Sequence, residues 1–161
     1  MGSSRTITIA PVRKSIVVRA APGRAFEVFT AGLDRWWPKS VGISASPILE
    51  SIIEPFVGGR WYTKCEDGSE VSSGHVTVWD PPHRVVFSWE INSNWKPDTG
   101  TPSEVEVAFF EEGSGQTRVS LEHRLFERMG QQGGEKMRGE VDNGWPKLLA
   151  FFAAEVDRPA A

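Results

Sequence analysis

Met137, Val141, Trp145, Leu148, Phe152 and Val156 recur at spacings of four, four, three, four and four residues near the end of the chain. A helix turns once in about 3.6 residues, so the six share one face and predict a long amphipathic helix from Gly133 to about Val156. Gln131 to Gly134 reads as a flexible lead into it. Pro146 lies inside this stretch, removes a backbone donor and presses on the carbonyl of Asp142. That predicts a bend near Gly144-Trp145-Pro146, with two shorter helices meeting there as the competing reading.

Upstream the hydrophobic period changes to two. Arg84 to Ile91 shows it most clearly, with Val85, Phe87, Trp89 and Ile91 on one side and Ser88, Glu90 and Asn92 on the other. Thr117 to Leu125 sets Thr117, Val119, Leu121 and His123 against Arg118, Ser120, Glu122 and Arg124. Ile48 to Glu54, Arg60 to Lys64, Glu70 to Trp79 and Ser103 to Glu112 also read as strands. In Glu70 to Trp79 the alternation places Gly74, Val76 and Val78 on one face, with His75, Thr77 and Trp79 on the other. Gly58-Gly59, Glu66-Asp-Gly68 and Gly113-Ser-Gly115 make turns, and Asp80-Pro-Pro82 ends pairing because proline cannot donate to a ladder. An earlier strand runs from Ser15 to Ala20. Pro22 then opens a short helix whose stripe is Phe26, Phe29 and Leu33. Six or seven strands thus form a meander, and the closing helix covers one face of the antiparallel sheet, an α+β architecture in a single domain over residues 1–161. There are no repeats and no domain boundary.

Composition narrows the function. A formal net charge of -3 over 161 residues leaves no clustered excess of Lys and Arg, which argues against nucleic acid as a partner. Cys65 is the one cysteine, so no intrachain disulfide can form and a reducing cytoplasm is the expected setting. Met1 to Ala10 lacks a signal-peptide pattern, and no apolar run is long enough to span a bilayer. Met1 to Ser4 is set aside from the fold reasoning. His75, His83 and His123 fall on different strands or turns without the spacing of a metal site, and neither a phosphate-binding glycine loop nor a Gly-x-Ser-x-Gly elbow occurs. No metal, no cofactor and no catalytic constellation is expected.

Seven tryptophans and nine phenylalanines stand against one tyrosine. Trp61, Phe87, Trp89, Phe109 and Trp145 converge between sheet and helix, as a filled core or as the rigid wall of a small-molecule pocket. His123 belongs to the inward series of its strand, where an imidazole must find a partner or stay neutral. It is the only candidate acid or base. Asn92 to Pro102 is a loop by its turn residues, and Trp95 at its centre needs a reason to be there.

Val57-Gly-Gly-Arg-Trp61, Gly74-x-Val76 leading to Trp79-Asp-Pro-Pro82, Arg84-Val-Val-Phe-Ser-Trp89, Thr117-Arg-Val-Ser-Leu-Glu-His123 and Gly144-Trp145 occur in that order. Together they resemble the activator of Hsp90 ATPase homologue 1-like family of the SRPBCC superfamily, also called START-like or Bet v 1-like. The resemblance implies a helix-grip fold: a curved antiparallel sheet wrapped around the long C-terminal helix, two short helices after the first strand, and an internal cavity. It implies that Trp61, Trp89, His123 and Trp145 face the cavity, with Trp37 and the Trp95 loop at its mouth. Phe87, Phe109, Leu148 and Phe152 complete the expected lining.

Superfamily members include lipid and hormone carriers, polyketide cyclases and co-chaperone domains, so fold alone does not choose a function. Three readings stand. The first is binding of a small apolar or aromatic molecule in the cavity. The second is a cyclase- or hydrolase-like enzyme using His123, and the third is an interaction module for a chaperone or other protein, of the kind associated with stress response. An unpaired edge strand also allows a homodimer.

Overall fold

The structure is a computed structural model that describes residues 8–158. Part of the Met1 to Ala10 segment, including Met1 to Ser4, lies outside the described residues. β1 (Val12–Val18) leads into α1 (Pro22–Phe29) and α2 (Leu33–Trp36), which carry the chain across to the opposite edge of the sheet. There β2 (Ile48–Ile53), β3 (Arg60–Cys65), β4 (Glu70–Asp80), β5 (Arg84–Trp89), β6 (Ser103–Glu111) and β7 (Thr117–Arg124) follow as antiparallel hairpins. The spatial order is β1-β7-β6-β5-β4-β3-β2, so β7 returns beside β1. A single 3-10 turn at Phe126–Met129 then leads into α3 (Gly130–Asp157), which fills the concave side of the curved sheet. This is the helix-grip α+β fold, with the two short helices after the first strand.

The expected stripe is what α3 buries: Met137, Val141, Trp145, Leu148, Phe152 and Val156 are all in the core. Pro146 sits inside this one helix, so the two-helix reading is replaced by a continuous element. Burial of Trp145, Leu148 and Leu149 around it, about 1.5–3 kcal/mol for each large apolar side chain, offsets the lost hydrogen bond. Gln131 to Gly134, expected as a flexible lead, is already helical because Gly134 packs directly on the carbonyl of Phe126.

Two strand details differ from the sequence reading for tertiary reasons. β1 begins at Val12 rather than Ser15, because it pairs with β7 in unbroken register from Val12↔His123 to Val18↔Thr117. In β4 a register shift falls between Val76 and Val78. A bulge turns every later side chain to the other face. Trp79 therefore pairs with Val85 and meets Phe26 of α1 at 5.1 Å, on the helix side, although simple alternation puts it with His75. Gly74 is required nearby, since a Cβ there would stand 1.8 Å from the carbonyl oxygen of Ser88.

The interior aromatics form two groups that meet at the Trp36–Trp37 contact, 5.7 Å between ring centroids. Toward α1, Phe29 contacts Trp36 and Phe109, and Phe152 contacts both Phe29 and Trp36. Toward the Asn92–Pro102 loop, Trp37, Trp61, Phe87, Trp89, Trp95 and Trp145 form a second connected group. Both adjacent tryptophans of Trp36-Trp37 are buried, one in each group. No helix among the described residues is long and apolar enough to cross a membrane.

Candidate functional site

The second aromatic group is built on four elements. β3 supplies Trp61, β5 supplies Trp89, α3 supplies Trp145, and the residue after α2 supplies Trp37. Ring centroids lie 5.2 Å apart for Trp61–Trp89, 5.8 Å for Trp89–Trp145, 5.9 Å for Trp37–Trp61 and 6.1 Å for Trp37–Trp145. Such tilted and edge contacts each add about 0.5–1.5 kcal/mol beyond area burial. The result is a stiff wall.

Two small adjoining cavities open in this wall. One, of about 80 Å³, lies against Val141, Gly144, Trp145 and Leu148 of α3. The other, of about 30 Å³, lies against Thr63, Ser73 and Ile91 of the sheet. Trp37, Val41, Trp89 and Trp95 border both. Pockets that enclose a drug-sized ligand measure about 300–1,000 Å³, so side chains fill most of the interior in this form.

Trp95 is the side chain that closes the space from outside. Asn92 accepts the backbone N–H groups of Asn94 (2.9 Å) and Lys96 (3.1 Å) on its Oδ1, and this turn holds Trp95 at φ 57°. That left-handed conformation is uncommon for a bulky residue. It sets the indole edge-on to Trp89 at 6.3 Å, and Nε1 donates to the Glu140 carboxylate on α3. Lys136 donates to the Ser93 carbonyl one turn earlier. Two side chains of α3 thus hold the loop down.

His123 lies behind Trp89 and Trp145, outside the cavity lining. Trp145 Nε1 donates to its Nδ1 at 3.1 Å, so the ring proton sits on Nε2 and reaches Ser103 Oγ at 2.8 Å. Phe126 and Trp89 cover the ring at 4.5 and 4.8 Å. Burial pushes its pKa down to about 3, through desolvation of the cation. An imidazole in this state is neutral and orients an indole. A proton-transfer role would require one of its two hydrogen bonds to open.

The lining brings together Trp37, Trp61, Trp89, Trp95, Trp145 and Leu148 from the expected set. Phe87 stands behind Trp61, and Phe109 and Phe152 belong to the group at α1. Val41, Ile43, Thr63, Ser73 and Glu140 are additional. Of these only Val41 and Ile43 carry a sequence signal, as apolar residues in an otherwise Ser- and Gly-rich loop.

Two polar features lie elsewhere. Glu90, just past β5 and in the outward series of the sequence alternation, is buried, and its carboxylate accepts from Ser88 and pairs with His75 Nδ1 at 2.8 Å. The hydroxyl binds the carboxylate and not the imidazole, so this is not a nucleophile–base relay. A larger concavity of about 520 Å³ lies on the outer sheet face between Arg13, Lys14, Glu106 and Arg118. It is shallow and carries both signs of charge, with Arg84 and Arg124 both bonded to Glu106, which marks a solvated face. Among the described residues no group of three or more His, Cys, Asp or Glu gathers as a metal site.

Residues 19–157 match the family described as Activator of Hsp90 ATPase homolog 1-like protein. An anthrahydroquino-gamma-pyrone synthase, Txn09, is 41% identical, with 91% of this chain and 97% of that chain covered and a TM-score of 0.64. CalC, a self-sacrificing resistance protein from Micromonospora echinospora, is 32% identical over 91% of this chain and 94% of its own, with a TM-score of 0.67. Protein MLL2253 from Mesorhizobium loti shares the fold at 16% identity and a TM-score of 0.67, covering 94% of this chain and 100% of that one. No curated protein sequence matches significantly.

Proposed function

We propose that this chain, which belongs to the Activator of Hsp90 ATPase homolog 1-like family, binds a small aromatic molecule between β3, β5 and α3. The pair of cavities bordered jointly by Trp37, Val41, Trp89 and Trp95 carries the reading. An apolar guest there would exchange water for indole faces on several sides, the usual energetic basis of a small-molecule site. The names of two relatives, a synthase of an aromatic pyrone and a self-sacrificing resistance protein, are in keeping with small-molecule chemistry in this fold.

The guest enters by displacing the Trp95 loop. The cavities are too small for a bicyclic ring in the closed form, and Trp95 is held by one bond to Glu140 that a single helix position controls. Titration with chromone, a bicyclic aromatic, should quench tryptophan fluorescence saturably. Glu140→Ala should raise both association and dissociation rates about tenfold in stopped flow, the equivalent of one hydrogen bond, while Kd moves less. Absence of saturable quenching would count against binding, and unchanged rates would remove Trp95 as the gate. Native mass spectrometry of the purified protein checks for a co-purifying molecule.

A further inference from the structure

We infer that the guest is a neutral, planar molecule bearing a carbonyl oxygen, and that the Trp89 indole N–H donates to that oxygen. The inference rests on the binding reading above and adds the chemistry that selects the guest. Trp89 is 4% exposed, and its Nε1 is the one buried indole nitrogen without a hydrogen-bond partner among the described residues. Four other tryptophans are satisfied: Trp36 on the Val28 carbonyl, Trp37 on the Val41 carbonyl, Trp95 on Glu140 and Trp145 on His123; Trp61 and Trp79 make no such bond, but their indole nitrogens are not sealed from solvent as that of Trp89 is. Buried donors are paired almost without exception, so an orphan on the residue that borders both cavities points to a partner that arrives with a guest.

The surroundings decide what kind of acceptor. Thr63 and Ser73 place hydroxyl-bearing side chains at the smaller cavity beside Trp89, while Val141, Trp145 and Leu148 make the other end apolar. Among the described residues no Lys or Arg lines either cavity, and the one charged lining group is the Glu140 carboxylate. An anion would be desolvated there without a counter-charge. A neutral carbonyl needs only the N–H. The indoles of Trp61 and Trp145, tilted 45° and 59° from that of Trp89 and lining the smaller and the larger cavity, favour a fused ring over a branched aliphatic chain.

The test compares chromone with 4H-chromene, which has nearly the same shape and lacks the carbonyl, and with chromone-2-carboxylate. Calorimetry on the wild-type chain should give chromone about tenfold tighter than 4H-chromene, with the carboxylate weakest. In ¹H–¹⁵N spectra the Trp89 indole proton should move downfield with chromone and not with 4H-chromene. Trp89→Phe keeps a ring in place and should make the two neutral probes bind alike. Equal wild-type affinities with an unmoved Trp89 signal would overturn the carbonyl inference while leaving the cavity reading standing. Binding of neither probe would overturn both.

Discussion

Trp145→Ala should destabilise the fold by about 3–5 kcal/mol, the range for truncating a large buried aromatic. Trp145 is 1% exposed, touches Trp37, Trp89 and His123, and among the described residues gives the only hydrogen bond to His123 Nδ1. The loss is therefore twofold: contacts on three sides, and a buried acceptor left unpaired. Trp145→Phe separates the two, since it keeps most of the contacts and removes the N–H. It should cost about 1–3 kcal/mol, the penalty of one unsatisfied buried group. Urea denaturation of the two variants measures both. A melting point within a degree or two of wild type for Trp145→Ala would contradict this packing, because a loss of that size lowers Tm by about 10 °C in a chain of this length.

Stability should fall steeply as pH drops below 6.5, and His123 should be a principal cause. Its folded pKa is lowered to about 3, whereas an unfolded histidine titrates near 6.5. Between those values the unfolded chain takes up a proton that the folded chain refuses. Acid therefore favours unfolding, by about 1.4 kcal/mol per pH unit at the steepest. From pH 6.5 to 5 the expected loss is about 2 kcal/mol, and above pH 7 this residue adds no pH dependence. His123→Gln removes the titration, so the difference in slope between it and the wild type isolates the effect from the carboxylates. Matching slopes would show that His123 takes up a proton in the folded state.

Much of this architecture was legible because single faces report it. The α3 stripe and the alternation in β5 and β7 are periodic, and periodicity follows directly from which side is buried. The features that escaped depend on contacts between distant segments. The β4 bulge that turns Trp79 inward arises from pairing with β5, and Val12 to Lys14 become strand only because β7 lies alongside. The site was half legible. Tryptophans at inward positions announced an aromatic interior, but Phe109 and Phe152 pack on Phe29 of α1, and Phe152 also on Trp36 of α2, contacts that the period of a single element does not reveal. Glu140 shows no pattern at all. It matters because a loop 45 residues away in sequence brings Trp95 to it.

Isotope-filtered NMR of the labelled protein with unlabelled chromone tests the binding reading most directly. Intermolecular contacts to the side chains of Trp37, Trp89, Trp95, Trp145 and Leu148 are the predicted result. Contacts confined to Arg13, Phe110 and Arg118 on the outer face of the sheet, or none at saturating probe, would contradict it.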